Sequence, residues 1–223
     1  MPFEAGSMDP SWRGCVDHLL ELFTGIAFDD IPESTGALLA ARKLVGHFSS
    51  SLQAQSTLLS FQRGAPEIPV KLIQDVVTRW WSTFTMCLRL LCCKPYLDFM
   101  EQRGELMCNL TPDQWTIIEV TQSILEPFMI AQNVLEGENY ITISMIPYII
   151  FKIRQGLQEV LTAPTSSVQA MQLVQKMLDC FEIHWGSGIP GTVAIEHLTF
   201  GPNRRPKGIP KRALMASLLD PRF

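Results

Sequence analysis

The sequence predicts a mainly α-helical fold. Along several stretches of the chain, apolar residues recur at intervals of three and four, which is the spacing of one helix face. Proline and glycine separate these stretches, and almost no segment alternates apolar and polar residues as a half-buried strand would. With 223 residues, of which 47% are hydrophobic and 18% charged, the chain can bury a sizeable core.

The first third of the chain predicts two helices. The first covers Asp9–Phe23, and a turn-like stretch, FDDIPESTG, follows it. The second is predicted as one long helix from about Gly36 to Gln62, because apolar or small residues recur on one face at Leu38, Ala41, Val45, Phe48, Leu52 and Leu59. Gly64, Pro66 and Pro69 are expected to stop it.

The segment Val70–Val77 fits either an extended conformation or the approach to another helix. Thr78 is a predicted N-cap. The helix would continue through Trp81, Phe84, Leu88 and Leu91, which have helical spacing. Pro95 and then Arg103–Gly104 are expected to interrupt it.

The best-marked helix begins at Thr111. The string Thr111-Pro112-Asp113-Gln114 combines an N-cap, a proline at N1, an early acid and a capping-box glutamine. Pro127 is expected to kink this helix and Gly137 to end it. Its predicted apolar face consists of Ile117, Val120, Ile124, Phe128, Ala131 and Leu135.

Three further helices are predicted in the second half. One begins near Ser144, with Pro147 in its first turn and an apolar face at Ile146, Ile149, Ile153, Leu157 and Val160. Another covers about Ser166–Phe181. After an irregular connection at Gly186–Pro210, Lys211–Phe223 forms a short helix running into Leu219-Asp220-Pro221-Arg222-Phe223.

Charge is unevenly distributed along the chain. The net charge of −4 does not indicate a protein that coats nucleic acid. Residues 1–62 hold seven acidic side chains against three basic ones, whereas residues 201–223 hold six basic side chains against Asp220 alone. A polyanion would therefore meet the second region, and the candidate phosphate contacts there are Arg204, Arg205, Lys207, Lys211 and Arg212.

Neither a secretory signal nor a membrane span is predicted. The start, MPFEAGSMDP, lacks an apolar core, and no apolar run approaches the ~18–20 residues that cross a bilayer. The six cysteines form no CxxC pair or regular framework, which favours a reducing compartment, nucleus or cytoplasm.

Candidate metal and catalytic residues are few. Cys15 and His18 place two ligand types three residues apart, but no second pair at short spacing completes a zinc site, so no metal or cofactor is expected. No phosphate loop or nucleophile elbow is present, and no small-molecule substrate is evident. Asp29-Asp30 is interpreted as a solvated turn. The remaining cysteines are interpreted as core residues: Cys87, Cys92, Cys93, Cys108 and Cys180.

The most unusual local string is Asp75-Val-Val-Thr78-Arg79-Trp80-Trp81-Ser82-Thr83. An arginine followed by two large aromatic residues can bind a phosphate and stack a base. Local chemistry favours the alternative, in which the two tryptophans pack in the core and Arg79 pairs with an acid such as Asp75.

Several strings occurring in order resemble hAT-superfamily transposases and their domesticated zinc finger BED domain-containing relatives. The resemblance covers the chain from about residue 12 to its last residue. Its strings are Cys15-Val-Asp-His18-Leu-Leu-Glu-Leu22, Ala41-Arg42-Lys43-Leu44-Val45-Gly46-His47-Phe48, Asp75 to Thr83, Leu125-Glu126-Pro127-Phe128 with Tyr140-Ile141-Thr142 and Pro147, and Leu219-Asp220-Pro221-Arg222-Phe223.

The resemblance implies a ribonuclease-H-like core that is interrupted by a large helical insertion and cuts DNA with three metal-binding carboxylates. Two of these acids would precede Cys15 and the third would follow Phe223, so the chain is not expected to be an enzyme by itself. Residues 1–30 would be a remnant of the core, 31–200 the helical insertion domain and 201–223 a basic connection leading back to the core.

The resemblance also assigns site residues. The family's Arg-Trp pair lies close to the processed DNA end, and this role carries over to Arg79 and Trp80. Trp81 departs from the family, which usually has asparagine there. Cys15 and His18 match a family motif near the core that is not a complete zinc site.

Three functions follow as hypotheses. The first is a transposase-derived, nuclear, DNA-binding protein. The second is a helical scaffold for protein partners or self-association, and the third is a fragment of an active DDE-type transposase.

Overall fold

The computed structural model describes residues 32–63, 68–76, 79–106, 109–136, 142–163, 167–185 and 211–222. These residues form seven α-helices and no strand, which confirms the mainly α prediction. None of the described helices is long and apolar enough to cross a bilayer. The helices are α1 (Pro32–Ser50), α2 (Leu52–Gln62), α3 (Trp80–Gln102), α4 (Pro112–Leu135), α5 (Ile146–Thr162), α6 (Val168–Trp185) and α7 (Lys211–Leu219).

Helix α4 is the central element, because both apolar clusters of the described structure contain part of it. Its N-terminal half, with Trp115 and Ile118, packs with α1, α2 and α3. Its C-terminal half, with Ile124 and Phe128, packs with α5, α6 and α7. Phe84 of α3 belongs to the cluster around the C-terminal half of α4. The first turns of α3 therefore contact both halves of α4.

The long helix predicted from Gly36 to Gln62 is two helices. Ser51 has an extended backbone (φ −116°, ψ 105°), and its hydroxyl accepts a hydrogen bond from the Ala54 amide as the N-cap of α2. Serine competes for backbone hydrogen bonds in this way, and it follows two other serines here. The break turns Leu52 outward, where it is 85% exposed, so its assignment to the buried face is wrong.

Helix α3 differs from its prediction at its N-cap and at Pro95, whereas the interruption predicted at Arg103–Gly104 is confirmed. Its N-cap is Arg79, without a side-chain cap, rather than Thr78. Pro95 lies inside the helix and does not interrupt it. Pro95 is on the exposed side, while Cys93 and Leu97 beside it are fully buried and hold the helix to the core. The helix ends at Gln102, and Gly104 follows with φ 71°, a conformation that favours glycine.

The start predicted at Thr111 is confirmed. The Thr111 hydroxyl accepts from the Gln114 amide at 3.3 Å, and the Gln114 side chain accepts from the Thr111 amide at 3.0 Å. On the predicted face, Ile117, Ile124, Phe128 and Ala131 are buried, and Val120 and Leu135 pack against the same cluster. The helix runs through Pro127 and ends at Leu135.

The later helices follow the predicted pattern. A short 3-10 helix, Ile143–Met145, leads into α5, and Pro147 lies in the first turn of α5. Helix α6 extends past the predicted Phe181 to Trp185, and α7 confirms the short helix predicted after Lys211. The helix Asp9–Phe23 and the connection Gly186–Pro210 lie outside the described residues.

Gly156 determines how closely α4 and α5 approach each other. A Cβ atom added at Gly156 would lie 2.5 Å from Cγ and 3.1 Å from Cβ of Pro127. The rigid proline ring cannot move aside as a flexible side chain could, so only glycine fits at this contact.

We therefore expect Gly156→Ala to lower the free energy of unfolding by about 1–3 kcal/mol through overpacking, although alanine favours helix formation. Gly36→Ala is the matched control, because a Cβ at Gly36 meets nothing within 4 Å. It should raise the free energy of unfolding by about 0.5–1 kcal/mol. Urea denaturation measures both, and equal effects in the two variants would contradict the close approach.

Candidate functional site

The unusual string beginning at Asp75 lies where an extended segment, residues 68–76, meets the start of α3. The segment runs antiparallel to α3. Val70 lies near Cys93, whose sulfur is 3.6 Å from the Val70 carbonyl oxygen, and Val76 lies near Ser82 at the other end of the segment. Residues 70–76 form no helix and span the distance from Cys93 to Ser82 of α3, which fits the extended alternative, and they also lead the chain towards α3.

Side chains from the helices hold this segment along its length. The buried Gln62 side chain accepts from the Val70 amide and donates to the Val70 carbonyl at 3.0 Å, much as a neighbouring strand would. Arg89 donates to the Lys71 carbonyl at 2.9 Å. Leu72 is buried in the apolar cluster that α1, α2, α3 and the N-terminal half of α4 form. The segment is therefore fixed by side chains rather than by sheet hydrogen bonds.

Asp75 is the strongest of these attachments. Its carboxylate has no exposed surface, and it accepts from Arg42 Nε at 3.0 Å and from Arg42 Nη2 at 2.8 Å. Thr83 Oγ1 donates to the same carboxylate at 2.9 Å. The interaction joins α1, the extended segment and α3 at one point, in the bidentate geometry that arginine and carboxylate form best.

These contacts keep Asp75 ionised. Burial by itself raises the pKa of the Asp75 carboxyl group, but the hydrogen bonds and charge of Arg42 and the hydrogen bonds from Thr83 and Gln74 outweigh it. The net pKa lies below the ordinary value of 3.8. The negative charge of Asp75 is consequently neutralised by the ion pair with Arg42.

Ser82 positions Arg79 at the start of α3. Its hydroxyl accepts from the Val76 amide at 2.8 Å and lies within hydrogen-bonding distance of the Val76 and Arg79 carbonyl oxygens. The Arg79 amide donates back to the Val76 carbonyl at 2.7 Å. These bonds hold Val76 beside the start of α3, where Arg79 is the N-cap.

Arg79 is exposed at this N-terminus. Its guanidinium carbon lies 5.9 Å from the centre of the Trp81 ring, and Trp81 is 37% exposed. Within the described part of the chain, Arg79 forms no ion pair. The alternative in which Arg79 pairs with Asp75 is therefore wrong, because Arg42 occupies that carboxylate.

The other predicted site residues lie partly beyond what the structure describes. Trp80 is the first residue of α3, and only its backbone is described. Lys211 and Arg212 begin α7, again as backbone alone. Outside the described residues lie Cys15, His18, Arg204, Arg205 and Lys207.

Charge counting over long windows missed a basic region around Arg79. Between residues 34 and 97 the only acids are Glu67 and Asp75, and Asp75 is neutralised by Arg42. The count for residues 1–62 combined Arg42 and Lys43 with the acids near the N-terminus, and the other five basic residues lie outside both counted windows. Its seven basic residues are Arg42, Lys43, Arg63, Lys71, Arg79, Arg89 and Lys94.

The cysteines show no sign of reactivity in the core. Burial, and then the nearby Asp75 charge, raises the pKa of the Cys87 thiol to about 12, and burial raises the pKa of Cys93 to about 11. The core interpretation is confirmed for these two, whereas Cys92 is exposed and was wrongly assigned to the core. Among the described residues, no group of histidine, cysteine and acidic side chains could hold a metal ion.

A second pair of distant strings also meets in space. Arg222 Nη2 donates to Ser144 Oγ at 3.2 Å, across 78 residues of sequence, and to Asp220 Oδ2 at 2.5 Å. Hydrogen bonds from Arg222, and then from Ser144, hold the pKa of Asp220 well below its usual range. Ser217 of α7 also donates to the Ser144 carbonyl. These contacts fix the end of α7 against the 3-10 helix.

No family model matches the chain. Zinc finger BED domain-containing protein 6 of Homo sapiens and of Mus musculus is 33% identical over 117 residues, which are 51% of this chain and 12% of the relative. Zinc finger BED domain-containing protein 4 of Homo sapiens is 25% identical over 135 residues, 60% of this chain and 12% of the relative.

This chain is similar to zinc finger BED domain-containing proteins. The resemblance to that group, first based on the ordered strings, is thereby confirmed. The matched segment covers only 12% of the length of these relatives, so their properties as whole proteins do not pass to this chain by similarity alone.

We expect Asp75→Ala to lower the free energy of unfolding by about 3 kcal/mol, because it leaves the mostly buried Arg42 without its partner. Glu119→Ala is the matched control, since it breaks an ion pair of similar length, Lys94–Glu119 at 2.9 Å, on the surface. That variant should lose at most about 1 kcal/mol. Urea denaturation at neutral pH compares them, and equal losses would contradict the structural importance of Asp75.

Acidification tests the same ion pair, because it protonates the Asp75 carboxylate. Since the folded pKa of Asp75 lies below 3.8, its contribution to stability is complete above that pH and is lost as the pH falls through the folded pKa. The difference in urea midpoint between the parent chain and Asp75→Ala should therefore be constant from pH 7 to about pH 5 and shrink below about pH 4. A difference that grows on acidification would show that Asp75 is not a paired carboxylate.

Proposed function

We propose that this chain is a transposase-derived, nuclear DNA-binding protein that contacts DNA at the N-terminus of α3 and lacks catalytic carboxylates of its own. The observation that carries the proposal is the exposure of Arg79 and its lack of an acidic partner among the described residues. Its guanidinium is exposed beside Trp81 and forms no ion pair with a described residue, while the acid closest to it in the string is held by Arg42.

The position of Arg79 suits a phosphate. The first backbone N–H groups of a helix have no partners within the helix and carry partial positive charge. Here no side chain caps them, and the first turn of α3 contains no acid. The Ser82 amide donates to the Arg79 carbonyl at 2.9 Å. A phosphate at this N-terminus would therefore accept hydrogen bonds from the amides of α3 before Ser82 and from the Arg79 guanidinium.

Trp80 and Trp81 complete the proposed contact. By resemblance, Trp80 would lie next to the bound DNA end. The exposed ring of Trp81 replaces the asparagine usual in the family and adds a surface on which a base can stack. The basic cluster at residues 204–212 would supply further phosphate contacts.

One observation favours the second candidate, a protein-interaction scaffold. A groove of about 660 Å³ lies between α4 and α5, with the exposed apolar side chains of Ile130 and Tyr148 on its two sides. Grooves of this kind accept apolar side chains of a partner protein. The third candidate, a fragment of an active transposase, would require carboxylates supplied from outside this chain.

The test is binding of a labelled DNA hairpin by the full chain over a range of salt concentrations. Arg79→Ala should weaken binding and reduce the slope of log K against log salt by about 0.9, the value for one lost phosphate contact. Lys152→Ala is the matched control, because Lys152 is also an exposed cation beside an aromatic ring, 5.8 Å from the centre of Tyr148.

Trp80→Ala should weaken hairpin binding as well, through loss of the contact that the resemblance assigns to it. Hairpin binding that is independent of salt, or that both charge variants reduce equally, would reject DNA binding at Arg79. Absence of any hairpin binding would leave the scaffold as the better account.

A further inference from the structure

We propose that one face along α3 and the extended segment binds single-stranded nucleic acid, with phosphates on Lys71, Arg79 and Arg89 and bases on Trp81 and Leu88. These five residues are called the α3 face below. The inference rests on the proposed DNA-binding function and extends it from one phosphate contact at the helix N-terminus to a class of ligand.

The α3 face is continuous because the extended segment lies along the helix. Arg79 and Trp81 are at the N-terminus of α3, and their side chains lie next to each other. Arg89 lies ten residues further along, about 15 Å at 1.5 Å per residue. There its side chain is bonded to the Lys71 carbonyl, which places the Arg89 guanidinium beside the Lys71 backbone. The face is thus long enough to contact more than one phosphate.

The cations of the α3 face differ from three other cations of the described structure, which are paired with acids. Lys94, Arg103 and Arg154 each form an ion pair with a glutamate. By contrast, Lys71, Arg79 and Arg89 form none with any described residue. The acid among them, Asp75, has no exposed surface and is bound to Arg42. This face therefore presents uncompensated positive charge to an anionic partner.

Apolar side chains lie between these cations. Trp81 and Leu88 are seven residues apart on the same side of α3, and they are 37% and 41% exposed. On the neighbouring segment, Ile73 is 44% and Val76 48% exposed. A duplex presents mainly phosphates to a flat basic surface, whereas a single strand also offers the unpaired faces of its bases. The exposed ring of Trp81, together with cations that form no ion pair, therefore fits a single strand better.

The experiment measures binding of labelled oligothymidylate by the full chain, with the hairpin duplex measured in parallel. Trp81→Ala should weaken oligothymidylate binding about 5- to 150-fold, the equivalent of the ~1–3 kcal/mol that stacking one base contributes. Tyr148 on α5 is a similarly exposed aromatic residue beside a cation, and Tyr148→Ala should leave this binding unchanged.

A charge variant tests the same face independently of any aromatic packing. Lys71→Ala removes only an exposed side chain, since Arg89 bonds the Lys71 backbone. It should reduce the salt slope for oligothymidylate by about 0.7, whereas Lys152→Ala should not change it.

Two results would overturn the inference in distinguishable ways. If the hairpin binds through Arg79 but oligothymidylate binding is insensitive to both Trp81→Ala and Lys71→Ala, the α3 face does not bind single strands, although the proposed function stands. If neither nucleic acid binds, both the inference and the proposed function fail, as they would if another protein segment covered this face.

Discussion

The buried ion pair between Arg42 and Asp75 is the interaction on which the site depends. A segment of extended backbone without a neighbouring strand has little reason to keep one conformation, and here it lies along a helix instead. The carboxylate of Asp75 attaches it to α1 through Arg42 and to α3 through Thr83. Because Asp75, the acid closest in sequence to the start of α3, is paired with Arg42, Arg79 is left as an exposed cation. Stability and the proposed function thus follow from the same charge assignment.

Two contacts in the described structure join regions of the strings that resemble the transposase family. The string containing Arg42 meets the string containing Asp75, and the Ser144 region meets Asp220 and Arg222. Part of what makes these strings recognisable is therefore structural, since polar residues far apart in sequence must match in order to be buried or fixed. Arg79 forms no ion pair with any described residue, and this is why it carries the functional proposal.

Local signals predicted the helices well and the site less well. The capping box at Thr111 and the apolar face of α4 depend on residues three or four positions apart, which a sequence pattern records directly. The break at Ser51 depends on a local serine cap that an apolar face pattern does not record. The continuity through Pro95 depends on packing of the buried residues beside it. The partner of Asp75 could not be inferred, because Arg42 lies 33 residues away and Arg79 was the nearer cation. The basic region would have appeared in a charge count restricted to residues 34–97.

The central claim is that DNA meets this chain at the start of α3 and along the segment beside it. Photo-crosslinking of a DNA hairpin to the full chain, followed by mass spectrometry of the linked peptides, tests this claim most directly. The account predicts crosslinks within residues 68–93, around Arg79 and the tryptophans that follow it. Crosslinks confined to α5 and α6, or to the basic residues after 200, would contradict it.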